Sequence, residues 1–236
     1  VFGVYAALAF TVVATAVLLV NLCVPRPRAR RGIAGAGARL FLRATGVALR
    51  VEGRGRLPPT PCVVVANHAS YLDGIVMVAA LPPDFAFVIK REMVRVPLAG
   101  MLLRRLGSEF VERHDRHRGA SDARRVLRRA ADGQSMVFFP EGTFDAQRVI
   151  RPFQRGAFTT AARAGLPVVA VAIHGARDRL PPDSLRLRRG AVRIEVLAVL
   201  DAATAHAHSR ELIAAAVGEP LAAHGAAIMA PTGRSS

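Results

Sequence analysis

Hydrophobic and polar positions divide the chain into two unlike parts. Residues 1–24 carry no charged side chain. About 20 apolar residues at 1.5 Å each match the hydrocarbon thickness of a bilayer, so this run predicts a membrane helix, spanning or lying in one leaflet. A cleaved signal peptide competes with that reading, but no clear small-residue cleavage pattern follows, and Leu22 before Cys23 spoils a lipoprotein-like site. From residue 47 the pattern changes to short apolar runs separated by longer, mixed ones. Strands are predicted at Ala48–Val51, Cys62–Ala66, Phe85–Ile89, Met136–Phe138, Val168–Ile173 and Val192–Val199, with a further short strand ahead of Arg113. Helices are predicted from Leu72 to Pro82-Pro83, over Gly119–Asp132, up to Gly165, and from Ala202 to Pro220. Pro97–Leu106 reads as a buried apolar helix or re-entrant turn. Strands alternating with helices argue for α/β architecture. The expected fold is a central mixed, largely parallel sheet flanked by helices over residues 47–220. A membrane helix at 1–24 and a basic linker with an interfacial helix at 25–46 precede it, and a tail at 221–236 follows.

Charge gives the membrane reading a direction. Arg26, Arg28, Arg30 and Arg31 follow the apolar run, interleaved with Pro25 and Pro27. The positive-inside rule then holds the following domain on the cytoplasmic side of the cell membrane, and a solvated linker is compatible with the same residues. Over 236 residues, 33 Lys and Arg against 17 Asp and Glu leave a net charge of +16, which suits anionic membrane lipids or acyl carriers as partners. Nucleic acid is not expected, because two Tyr and no Trp leave little for base stacking. A basic membrane-surface module without chemistry is the rival of a different class. On Gly119–Asp132, Val126, Leu127 and Ala130 are expected inward and Arg124, Arg125, Arg128 and Arg129 on a solvated face. Cys23 and Cys62 form no CxxC, and His114 and His117 lie in an Arg-rich loop with no ligand set to complete a coordination sphere, so no metal is expected.

Candidate chemistry falls where strands end, the edge at which α/β sheets collect ligands. Asn67-His68-Ala69-Ser70-Tyr71-Leu72-Asp73 follows the strand at 62–66. An imidazole is a good general base near neutral pH, and a carboxylate five residues on, after a turn, can accept its other N–H. The blander reading has His68 capping the next helix and Asp73 in its first turn. Phe139-Pro140-Glu141-Gly142-Thr143 ends a second strand, and Gly107-Ser108-Glu109-Phe110-Val111-Glu112-Arg113 ends a third. A base, a carboxylate and a cation from three strand ends favour one site. A serine hydrolase using Ser70 is disfavoured, since Ser70 lies two residues from His68 and no GxSxG elbow occurs.

NHxSxxD, GxxFVxR and FPEGT, in this order and at these distances, resemble the glycerolipid acyltransferase family, whose best-known members are the 1-acylglycerol-3-phosphate acyltransferases. Lys90-Arg91-Glu92-Met93 with Pro97 and Gly100, and Leu166–Val171, fit as weaker blocks, so the similarity spans roughly residues 45–200. The resemblance implies a glycerolphosphate acyltransferase-like sheet and acyl transfer from acyl-coenzyme A or acyl carrier protein to a lysophospholipid hydroxyl, foremost 1-acylglycerol-3-phosphate. No cofactor beyond that cosubstrate and no acyl-enzyme are implied. His68 would be the base and Asp73 its orienting partner. Arg113 with Glu141, Gly142 and Thr143 would bind the glycerol phosphate, and Asn67, Ser70 and Lys90 complete the expected substrate-binding set. Pro97–Leu106 would lie near an acyl tunnel. Three positions depart from the pattern: Phe144 where many acylglycerol-phosphate acyltransferases have Arg, Gln154 where Lys is frequent, and Ala170 where Pro is frequent. The first removes a phosphate donor from its turn. Arg148, Arg151 or Arg155 could substitute, and lyso-ornithine lipid or another lysophospholipid is then a close second acceptor.

Overall fold

The run Val63-Val64-Val65-Ala66 is apolar at every position, with none of the alternation of a half-exposed strand. The computed structural model, which describes residues 2–112, 115–184 and 186–222, shows the reason. This run is β2 (Val63–Ala66), and the other strands are β1 (Val47–Glu52), β3 (Phe85–Lys90), β4 (Glu109–Val111), β5 (Ser135–Phe138), β6 (Val168–His174) and β7 (Gly190–Leu200). The described residues build a seven-stranded sheet in the order β1-β7-β6-β2-β5-β3-β4, with β2 at its centre. β6, β2, β5, β3 and β4 run parallel, while β7 pairs antiparallel with β6 and parallel with β1. The sheet is therefore mixed and largely parallel, as the sequence pattern predicts.

The helices are α1 (Phe2–Cys23), α2 (Pro27–Ala44), α3 (Leu72–Ala80), α4 (Ala99–Arg105), α5 (Arg116–Ala131), α6 (Gly156–Ala164), α7 (Ala176–Arg179) and α8 (Ala205–Val217). Val64 and Ala66 pack with Phe41 and Leu42 of α2 and Leu72, Val76 and Met77 of α3, whereas Val63 and Val65 pack with α6 and α8. Burial on both faces takes both sets of alternate residues out of water, which is why the whole strand is apolar. On the second face, Val126 and Ala130 of α5 meet Ala86, Val88 and Met136, while Leu127 is only partly buried. Arg125 and Arg129 depart from the expected solvated face. Glu109 and Asp122 are buried, and Arg125 reaches them at 2.7 and 2.9 Å, with Arg129 also on Glu109. Carboxylates out of water need such partners.

α1 has the length and hydropathy of a membrane span, but it is not a free-standing helix. Ala6, Ala14, Val17 and Asn21 are buried, while Val4, Leu8, Val12 and Leu19 are more than half exposed. The buried face lies on α2 and α4. A Cβ added at Gly37 of α2 would stand 2.4 Å from Val17 Cγ2, so glycine is what allows the two helices to approach this closely. Gly37→Val is accordingly expected to cost about 1–3 kcal/mol by overpacking, read as a lowered Tm. An unchanged Tm would mean that α1 does not depend on that seat.

Two expectations are corrected here. Arg31 is buried and not part of a solvated linker: Nε donates to Leu106 O at 2.9 Å and Nη1 to Gln134 Oε1 at 3.1 Å. It serves a carbonyl at the C-terminus of α4 that has no partner within that helix. α4 is also less buried than its apolar sequence suggests, with Gly100 enclosed and Met101 more than half exposed. Leu102 packs toward Val17 and Ala34, so one side of this short helix faces α1 and α2 and the other faces outward.

Candidate active site

Because β6, β2, β5, β3 and β4 are parallel, their carboxyl ends share one edge of the sheet. Asn67 leaves β2 and ties it to β6. Its Oδ1 accepts from Ile173 N at 2.8 Å and its Nδ2 donates to Ile173 O at 3.0 Å. A side-chain amide offers both a donor and an acceptor, so it extends the pairing one step after the backbone turns away.

His68 Nδ1 lies 2.9 Å from Oδ2 of Asp73, in the first turn of α3. The same oxygen accepts Ala69 N at 2.7 Å and Ser70 N at 2.8 Å, and Asp73 is fully buried. Three contacts to one oxygen fix the carboxylate against the turn. With Oδ2 accepting, Nδ1 carries the hydrogen and Nε2 presents its lone pair. The helix-cap reading of His68 does not hold. Ser70 Oγ instead accepts from Leu72 N at 3.0 Å, and it donates to Leu180 O at 2.6 Å. Asn67 and Ser70, expected to touch substrate, are both buried and spend these groups on the scaffold.

The second turn packs directly on the first. Gly142 N donates to Phe139 O at 3.0 Å, and φ of +77° at Gly142 is a left-handed conformation that costs a Cβ-bearing residue about 1–2 kcal/mol. Glu141 is buried, with Oε1 accepting from His68 N at 2.7 Å and Oε2 from Arg151 N at 2.8 Å. Both oxygens are thus engaged by backbone, and the side chain clamps the His68 turn to the following loop. This is a different use from the glycerol-phosphate binding that the resemblance implies. Burial pushes the Glu141 carboxyl up to about 7, against the two N–H donors that pull it down, and the nearby carboxylates of Asp73 and Glu219 add to the rise. The folded state therefore holds this proton more tightly than the unfolded chain. Stability from it is full below the ordinary value of 4.5 and is lost as pH rises through about 7. Relative to Glu141→Gln, the wild type should lose about 3 kcal/mol across that window in denaturant titrations. A pH-independent difference would show that Glu141 keeps its ordinary acidity.

Lys90 closes β3 at the same sheet edge and pairs with Glu92 at 3.3 Å, and Thr143, partly buried, follows Gly142. Arg113 and His114 lie outside the described residues. Of the arginines that could replace a donor at position 144, Arg148 pairs with Asp178 and Arg151 with Asp145, while Arg155 is the residue just before α6.

Sequence reasoning missed the aromatic setting of His68. Phe139 stacks on the His68 ring with centroids 4.3 Å apart and planes at 21°, and Phe144 meets it edge-on at 4.3 Å and 63°. Tyr71, more than half exposed, stands at 84° to Phe144 with centroids 4.8 Å apart. Tyr71 and Phe139 lie within the two motifs and Phe144 follows the second, but no sequence signal says that their rings converge.

An oriented imidazole backed by a buried carboxylate, in an apolar surround at the sheet edge, suits proton removal from a hydroxyl. This is the setting in which the family stands. Residues 48–174, just over half of the chain, match the model of the acyltransferase family, and the chain belongs to that family. A 1-acyl-sn-glycerol-3-phosphate acyltransferase of Brassica napus chloroplasts is 34% identical over 147 residues, covering 61% of this chain and 42% of that protein. The lyso-ornithine lipid O-acyltransferase of Pseudomonas aeruginosa is 33% identical over 167 residues, 62% of each chain. This chain thus matches between about two fifths and three fifths of the length of such relatives. The crystal structure of the 1-acyl-sn-glycerophosphate acyltransferase from Thermotoga maritima superposes with a TM-score of 0.78 over 92% of this chain and 93% of that one, at 20% identity, which establishes the shared fold.

Proposed function

We propose that this chain is an O-acyltransferase that moves an acyl group from a thioester, acyl-coenzyme A or acyl carrier protein, to the free hydroxyl of a lysophospholipid. 1-Acylglycerol-3-phosphate, the acceptor named for most of its relatives, is the first to test. The observation that carries the reading is His68 Nδ1 held on buried Asp73 with Nε2 left to act. Nε2 takes the hydroxyl proton as the oxygen attacks the thioester carbonyl. The tetrahedral adduct then expels the thiolate, and the imidazolium returns the proton to that sulfur. Asp73 keeps the imidazole tautomer and steadies the positive charge between these steps.

The exposed apolar side of α1 supports a seat against the cytoplasmic leaflet of the cell membrane. A helix packed along the domain through Ala6, Ala14 and Val17 fits a one-leaflet anchor better than a free span. A second acceptor, lyso-ornithine lipid, is favoured by Phe144, which places a phenyl ring against the base.

The test is purified protein in mixed micelles with radiolabelled acyl-coenzyme A, or acyl carrier protein as donor, and a panel of lysolipids. Transfer by the wild type that vanishes in His68→Ala supports the reading. No transfer with either donor overturns it in favour of a basic membrane-surface module.

A further inference from the structure

Residues 143–149 carry the chain from the Glu141-Gly142 turn to Ile150, and among the described residues no backbone-to-backbone hydrogen bond holds them. Phe144 belongs to this segment and meets the His68 ring edge-on with centroids 4.3 Å apart. Backbone without backbone partners is held by side chains or by water. Arg151 pairs with Asp145, and Gln147 N donates to Asp145 Oδ1 at 2.9 Å, which closes the segment on itself. Arg148 pairs with Asp178, but both side chains are well exposed, and such pairs contribute little.

Arg177 of α7 is different. Its side chain is 11% exposed, and its Nη1 donates to Asp145 O at 2.7 Å and to Gln147 O at 2.5 Å, one and three residues beyond Phe144. Nη2 lies 3.5 Å from Glu219 Oε2, and Nε has no partner among the described residues. A guanidinium taken out of water with one distant carboxylate and an idle N–H is costly to bury. What the burial achieves is a grip on two loop carbonyls from a firm base. Gly175, with φ of +78°, turns the chain at the end of β6, and a Cβ there would stand 2.9 Å from Ala191 O of β7. β6 is in turn tied through Ile173 to Asn67, the neighbour of His68. The loop that carries Phe144 is thus keyed to the strand ends that carry His68.

We propose that Arg177 is a positioning residue for the reaction, holding the loop at Asp145 and Gln147 so that Phe144 stays packed on His68. The inference rests on the acyl-transfer reading above and concerns the same site. Acyl transfer is assayed with the donor and lysolipid on which the wild type is most active, each protein at a temperature where circular dichroism shows it folded. Arg177→Met keeps most of the stem and removes every donor. Its kcat is expected to fall about ten- to a hundredfold, the scale of a misplacement of about 1 Å at the chemistry. Phe144→Ala is expected to lower kcat by a similar factor. Adding Arg177→Met to Phe144→Ala should change kcat by less than about twofold, because the packing it supports is already gone, whereas a merely structural role would make the two losses multiply. Arg177→Lys keeps a donor for the carbonyls and should lie between the wild type and Arg177→Met, whose place it takes in the cycle if the latter does not fold. An unmoved kcat in Arg177→Met or in Phe144→Ala, full additivity of the two, or failure of both Arg177 variants to fold overturns the proposal and leaves acyl transfer intact. A wild type silent with every donor and acceptor removes the acyl-transfer reading and this inference with it.

Discussion

His68→Ala is expected to lower kcat for acyl transfer by about 10³-fold, within the range a positioned general base contributes. The argument is geometric. Nδ1 is spent on Asp73 at 2.9 Å, so Nε2 is the nitrogen free to take a proton, and alanine leaves nothing in its place. The backbone N–H of His68, which donates to Glu141 at 2.7 Å, survives the change, so the two turns should stay together. Loss of a ring that packs on Phe139 and Phe144 will cost some stability, and the comparison therefore needs circular dichroism and Tm beside the kinetics. KM for the acceptor should move much less than kcat, because the base acts in the transition state. A variant retaining a tenth or more of wild-type kcat, about the effect of a single weakened contact, would remove His68 from the mechanism.

Asp73 separates two roles by choice of substitution. Asp73→Ala strips the acceptor from Ala69 N, Ser70 N and the imidazole at once. At about 1–3 kcal/mol for each buried donor left unpaired, and with some relaxation of the turn, a loss of roughly 3 kcal/mol is expected together with inactivity. Asp73→Asn keeps an acceptor oxygen for those N–H groups and should unfold at a higher denaturant concentration than the alanine variant. Its kcat is nevertheless expected to fall by about 10²–10⁴-fold, since a neutral amide does not stabilise the imidazolium. The asparagine nitrogen would also replace Oδ1, which has no hydrogen-bond partner, and bury two unpaired hydrogens there. Equal stability of the two variants would mean that the N–H contacts do not hold the turn, and near-normal turnover in Asp73→Asn would remove the counter-charge from the mechanism.

Much of the site was legible before any fold was known, because its parts are local. His68 and Asp73 lie five residues apart across one strand-end turn, and a turn of that length brings its own ends together. The meeting of His68 with Glu141 is not local. It needs β2 and β5 to be adjacent and parallel, as they are through Val63–Met136, Val64–Val137 and Val65–Phe138. The resemblance assigned Glu141 to the acceptor, whereas its carboxylate is used by two backbone N–H groups from separate loops. Residue type alone does not distinguish a carboxylate that meets substrate from one that closes a scaffold. The same holds for Arg31, Arg125 and Arg129, which read as solvated basic residues and turn inward to carbonyls or buried carboxylates. Arg31 is buried outright, whereas Arg125 and Arg129 stay partly exposed while their guanidinium N–H groups reach a carboxylate that is itself buried.

The sequence by itself determined most of the strands and helices, the membrane-length apolar run and the pairing of His68 with Asp73, since periodicity and short-range turns act within a few residues of chain. Tertiary structure alone decided the strand order, the packing of α1 on α2 and α4, and the packing of Phe139 and Phe144 on His68. Those contacts join segments far apart along the chain. Their formation is governed by which apolar faces can be buried together and which buried polar groups then find partners, and that is settled only when the whole sheet is assembled.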